Sequence, residues 1–164
     1  MAALGKRAGL SMITRIEQDF PGLRGTGYQV TSPQDDKYNC IAWAANDTTV
    51  WWWPDEPDNS DSPFWPPGVT RAETLEAFTE AFTTLGYRVC GDVQLELRFE
   101  KIALFAVGGV PTHAARQLAN GRWTSKLGPM EDIEHVLADL TGVRYGTVVQ
   151  LMKRPLPTLL GHDS

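Results

Sequence analysis

The chain is short of cysteine, of histidine and of positive charge, and each shortage narrows what it can do. Its 164 residues include two cysteines, Cys40 and Cys90, and three histidines. A lone pair of cysteines in a chain that shows no secretory signal is weak support for a disulfide framework, and none is expected. Two cysteines and three scattered histidines also lack the ligand spacing of a tetrahedral zinc site, so no metal is expected. Lys and Arg number 15 against 20 Asp and Glu, a formal charge of -5. Nucleic acid and anionic membrane both demand a basic footprint, so neither is expected as a partner. No window approaches the roughly 20 apolar residues of a membrane-spanning helix. The opening run MAALGKRAGLSM is too weakly apolar for a secretory signal, which points to a cytoplasmic protein. There is no glycine-rich phosphate loop either: Gly108-Gly109 precedes a strand, not a helix, so no nucleotide or other cofactor is expected.

What remains is a globular composition, with 42% hydrophobic and 21% charged residues, in a length that suits one domain with a proper core. The expected domain spans 1–164, with an ordered core over about 13–153 and tails at both ends. Residues 13–20 fit a short helix stopped by Pro21-Gly22, and Tyr28–Val30 a short strand. Cys40–Ala45 is alanine-rich and apolar, a short buried helix with Asn39 placed to cap its start. Thr70-Arg-Ala-Glu73 fits a capping box, followed by Leu75, Phe78, Phe82 and Leu85 at helical spacing and closed by Gly86.

Strand signals come next: Tyr87–Cys90, Ile102–Val107, then Thr112–Leu118 and Arg122–Leu127 flanking the turn former Asn120-Gly121. Gly128-Pro129 predicts a helix start, with Ile133, Val136, Leu137 and Leu140 as its buried stripe and His135 on its polar face. Tyr145–Met152 is a last strand. This order reads as α+β, with N-terminal helices packed on a mostly antiparallel sheet.

Residues 47–69 hold five prolines and four tryptophans, Trp51, Trp52, Trp53 and Trp65. Long irregular segments in compact domains are usually functional or disordered, and the aromatics disfavour disorder. The rings either cover one end of the core or wall a substrate or partner surface.

Cys40 carries the chemical interest. At a helix N-terminus the free amides and the dipole favour thiolate, although a buried cysteine is ordinarily a small hydrophobe. Cys90, at a strand end, lacks that setting, and His162 falls in the C-terminal tail. His113 begins a strand after the Gly108–Pro111 turn, where it can face the start of a helix packed across the sheet, as a thiol–imidazole pair requires. The other reading is a strand-end histidine bonded to a carbonyl.

The runs Tyr38-Asn-Cys-Ile-Ala-Trp-Ala44 and Glu100-Lys-Ile-Ala-Leu-Phe-Ala106, a glycine turn, then His113-Ala-Ala-Arg-Gln-Leu-Ala-Asn-Gly-Arg-Trp123 resemble the NlpC/P60 and CHAP branches of the papain-like cysteine hydrolases. The pattern of Tyr38–Ala44 with Thr112–Gln117 and Trp123–Gly128 is also similar to a family of small bacterial proteins. The papain-like resemblance covers about residues 36–46 and 99–127. It implies a papain-like fold, Cys40 as nucleophile and His113 as general base, with the Cys40 amide in an oxyanion hole. It further implies an oxyanion donor, for which Gln34, six residues before Cys40, and Asn39 compete. The orienting third residue corresponds to Ser125.

Register decides the last assignment. A two-residue turn at Asn120-Gly121 places Thr124 and Lys126 on the His113 face, whereas a three-residue turn with a glycine bulge places Ser125 there. Gln117 shares the His113 face in support. The expected function is therefore a cysteine-dependent hydrolase or acyltransferase on an intracellular peptide or amide substrate. A binding or immunity-type module that contacts a protein through its Trp/Pro-rich loop is the alternative, with a redox-responsive thiol as a third option.

Overall fold

The computed structural model describes residues 2–56 and 63–157, with side chains of the first helix described from Gly9 onward. Its organising element is one seven-stranded antiparallel sheet. The strands are β1 (Gln29–Ser32), β2 (Arg88–Cys90), β3 (Phe99–Val107), β4 (Val110–Gln117), β5 (Trp123–Lys126), β6 (Asp132–His135) and β7 (Thr147–Pro155). Their spatial order is β1-β6-β5-β4-β3-β7-β2. Strands β3 to β6 form a meander, and β7 returns along the far side of β3.

The helices are α1 (Ala2–Asp19), the five-residue α2 (Cys40–Ala44) and the nine-residue α3 (Leu75–Thr83). Among the described residues no helix is long and apolar enough to cross a membrane, and no three acidic, cysteine or histidine side chains are grouped to hold a metal ion.

The molecule is thus β-rich, which overturns the expected papain-like α+β arrangement of N-terminal helices packed on a sheet. The decisive difference lies at residues 131–140. The apolar spacing of Ile133, Val136, Leu137 and Leu140 imitates a helix, but β6 is a strand there, followed by one 3-10 turn over Leu137–Leu140. Strand β6 pairs with both β5 and β1. Two ladders of backbone hydrogen bonds outweigh a four-residue helical stripe, and Val136 is left exposed.

Other boundaries also move. Residues 2–12, read as part of a tail, belong to α1, and β7 runs on to Pro155. His162 lies outside the described residues.

Side-chain alternation along the central strands creates two cores. On one face, Ile102, Leu104, Ala114 and Met152 pack with α2, α3, Trp52 and Trp65. On the other, Ala103, Phe105, Ala115, Trp123 and Ile133 pack with Ile16 of α1, with Phe20 just beyond it, and with Leu23.

The cap of α3 is Thr74, whose side chain accepts from the Ala77 amide at 3.2 Å. The expected capping box at Thr70 does not form, since α3 begins at Leu75 with Thr74 as its cap; the Thr70 carbonyl accepts from the Trp65 indole at 3.0 Å. Thr74→Ala is therefore expected to lower stability by about 1 kcal/mol, and Thr70→Ala by almost nothing. Urea midpoints of the two variants check this.

Candidate functional site

Asn39 caps α2 as its residue type predicts. Its Oδ1 accepts from the Ala42 amide at 3.1 Å and from the Trp52 amide at 3.2 Å, while Nδ2 donates to the Trp52 carbonyl at 2.7 Å. The side chain is thereby committed to holding the tryptophan segment on the start of α2, and is not available as an oxyanion donor. Gln34 is exposed in the loop after β1, outside the buried cluster around Cys40.

The cap leaves Cys40 as the first helical residue, buried against β4. The thiol makes a long contact of 4.0 Å with the Thr112 carbonyl. The main-chain amides of Ala114, Ile41 and Cys40 itself favour thiolate, as does the Lys126 ammonium, yet burial outweighs them and pushes the thiol up to about 11. The helix-start argument for a depressed pKa thus loses to desolvation, because α2 is short and covered.

Lys126 is a fully buried cation. It donates to the Asp35 carbonyl at 2.7 Å and to the Met130 carbonyl, and sits 4.9 Å over the Tyr38 ring. Burial lowers its pKa, against the opposing pull of Asp132 and Asp35.

His113 is also fully buried. Thr112 and Ala114, its neighbours on β4, flank the Cys40 sulfur, but the imidazole itself belongs to the opposite face. It pairs across the ladder with Phe105, meets that ring at 5.2 Å edge-on, and stacks on Tyr145 at 4.0 Å with only 10° between planes. Its Nδ1 has no hydrogen-bond partner, the Cys40 thiol included. Its Nε2 lies 2.9 Å from Ser125 Oγ.

The β4–β5 hairpin explains why Ser125 reaches it. The Leu118 amide donates to the Arg122 carbonyl at 2.7 Å, and Gly121 has φ +86. The loop is therefore the three-residue Ala119-Asn120-Gly121 turn, with the glycine in the left-handed region that this geometry needs. Arg116 pairs with Thr124 and Gln117 with Trp123. Ser125 accordingly falls on the His113 face, while Thr124 accepts from Trp43 of α2 on the other. Gln117 takes no part: it donates to the Val93 carbonyl at 2.9 Å and ties down the segment before β3.

The residue that sequence reasoning missed is His135. Read as a solvated helical position, it is instead fully buried on β6. Its Nε2 is 2.7 Å from Ser125 Oγ, and its Nδ1 is 2.8 Å from the Val136 carbonyl. Burial drives both imidazoles toward neutrality, His113 well below the usual value and His135 to about 4. A strand reading of 132–135 would have paired His135 with Trp123 and brought it beside Ser125.

A family model described as Domain of unknown function (DUF7689) matches residues 29–153. The chain belongs to this family. No curated protein and no solved structure matches it. The DUF7689 region contains Cys40, His113, Ser125, His135 and Tyr145, whereas α1 precedes it. Phe20, just beyond α1, touches the Tyr145 ring at 4.9 Å, so a segment outside the matched region presses on the ring that covers His113.

The tryptophans divide by depth. Trp52 and Trp65 are buried, and Trp51 and Trp53 are half-buried. Trp53 and Trp65 meet Phe78 of α3 edge-on at 5.4 and 5.1 Å. The segment turns mainly inward as a cover for the first core.

Proposed function

We propose that this DUF7689 chain is a cysteine-dependent hydrolase or acyltransferase acting on a peptide or amide carbonyl, with Cys40 as nucleophile and His113 as general base. The observation that carries the reading is the unpartnered Nδ1 of buried His113, on the strand whose main chain flanks the Cys40 sulfur. A buried polar atom without a partner is costly and calls for a reason.

Because burial raises the thiol and lowers the imidazole, the two rest neutral. The thiol proton then passes to Nδ1 as the S–C bond forms, rather than beforehand as an ion pair. The imidazolium returns that proton to the leaving amine as the C–N bond breaks. Water or an acceptor nucleophile next attacks the thioester carbonyl, losing its proton to Nδ1, and the imidazolium hands that proton to sulfur as the C–S bond breaks. The amides around Cys40 are the available donors to the oxyanion. Sulfur and imidazole lie on opposite faces of β4 in the resting arrangement. Turnover therefore requires them to converge.

One observation favours a second reading, a binding module without turnover: a buried thiol pushed up to about 11 is what an inert core cysteine looks like. A panel of peptidyl acyloxymethyl ketones, read by intact mass and peptide mapping, separates the two. The expected result is a single adduct on Cys40, formed at least tenfold more slowly in His113→Gln, while iodoacetamide labels the less buried Cys90 first. Labelling of Cys90 alone, or a Cys40 rate indifferent to His113→Gln, would leave the binding module standing.

A further inference from the structure

We infer that His135 is a positioning residue which, acting through Ser125, holds His113 in the tautomer whose Nδ1 carries no proton. The inference follows from counting protons along the buried chain of contacts. The Val136 carbonyl can only accept, so His135 Nδ1, 2.8 Å away, carries the hydrogen. A neutral His135 then has a bare Nε2, which accepts from the Ser125 hydroxyl at 2.7 Å. Ser125 has one proton, and it is now committed. Its remaining contact, with His113 Nε2 at 2.9 Å, is filled only if His113 donates. A neutral His113 that donates from Nε2 leaves Nδ1 as a lone pair, and that is the buried atom with no partner.

The opposite tautomer fails on two counts. It would place the Ser125 oxygen between two bare nitrogens with one proton to share, and it would bury an N–H at Nδ1 with no acceptor. Packing removes ring rotation as an escape, since Tyr145 stacks on one side and Phe105 abuts the edge. The catalytic meaning of the arrangement rests on the hydrolase reading. If His113 is the base, His135 and Ser125 prepare it before any substrate arrives, a role that a second-layer partner fills by fixing the correct tautomer.

The test uses the uniformly 15N-labelled full chain carrying Cys40→Ser, so that tautomers are read without thiol chemistry. Long-range 1H–15N correlation spectra near neutral pH should show His113 with a pyridine-type Nδ1 and a pyrrole-type Nε2, and His135 with the reverse. His135→Leu frees the Ser125 hydroxyl to donate toward His113, and the His113 tautomer should shift or become mixed. His135→Gln restores an acceptor and should retain the original pattern. Should His135→Leu fail to fold, Ser125→Ala cuts the same relay by removing one oxygen. A protonated His113 Nδ1 in the parent, or an unchanged pattern in both His135→Leu and Ser125→Ala, overturns the inference.

With Cys40 restored, electrophile labelling in His135→Leu should fall at least tenfold, and in His135→Gln less. Absence of labelling in the unmodified chain sinks the hydrolase reading alone, because the tautomer spectra stand independently of it.

Discussion

Lowering the pH from 7 to 4.5 is expected to destabilise this domain by at least 2–3 kcal/mol. His135 supplies that minimum. An unfolded histidine titrates near 6.5, while burial holds folded His135 at about 4. Between those values the unfolded chain binds a proton that the folded chain refuses, so stability falls as pH falls through the window and levels off below it. At pH 4.5 the difference in proton binding integrates to about 2.5 kcal/mol. His113, more deeply buried and lowered further, adds to the loss in the same direction.

The charged groups nearest His135 act against one another: Asp139 and Glu134 raise its pKa, while Arg122 lowers it, and desolvation dominates. Asp92 and Glu96, held low chiefly by hydrogen bonds from Lys101 and Lys153 respectively, contribute in a separate and more acidic window. Urea midpoints measured between pH 4.5 and 8 check the size. The same series on His135→Gln should recover a matching part of the acid sensitivity. A flat profile in the parent would mean that His135 is protonated or exposed, and the proton count through Ser125 would fall with it.

The same histidine shows where local sequence stops being informative. Residues 128–140 carry a proline, acids in the right place for a helix start and a four-residue apolar stripe. Each of these is satisfied equally well by a strand followed by a 3-10 turn. What decides between them is the pairing of Glu134 with Gln29 and of His135 with Trp123, a choice made by residues about a hundred positions apart and by a hairpin. Cys40 and its Asn39 cap were legible because a cap is a contact between near neighbours.

Ser125 was legible only up to a choice between two turn lengths. Asn120-Gly121 marks the hairpin but does not say whether Ala119 joins the loop, and that single residue decides the face on which Ser125 stands. Tyr145 left no signal at all. Nothing in a tyrosine between Arg144 and Gly146 announces that it will stack on a ring thirty-two positions earlier. The papain-like resemblance rested on two short runs that are local, whereas fold is set by strand order, which those runs do not encode.

Gly146→Ala is expected to be among the most damaging single-methyl changes in the chain. Gly146 stands at φ +76, where an L-residue carries a strain of roughly 1–2 kcal/mol. Its more serious difficulty is space. A Cβ at this position would overlap the carbonyl oxygen of Ala106 and lie 2.8 Å from both the Ala106 carbonyl carbon and Val107 Cγ2. Ala106 belongs to the end of β3, paired on both sides, so neither backbone can yield without breaking ladder contacts.

The control is Gly108→Ala, also at positive φ, with nothing within 4 Å of the added carbon. That change should cost only the backbone strain of roughly 1–2 kcal/mol. Gly146→Ala should exceed it by about 1–3 kcal/mol, the usual penalty for forcing extra volume into packed structure. The excess also has a local consequence, because Gly146 follows Tyr145 directly and shares two backbone hydrogen bonds with Gly142. Displacing it moves the ring that stacks on His113. Urea unfolding of the two variants measures the difference, and the His113 ring resonances report whether the stack has been lost. Equal losses for the two glycines would place the whole effect in the backbone angle, leaving the approach of the Tyr145 loop to β3 without the steric role assigned to it.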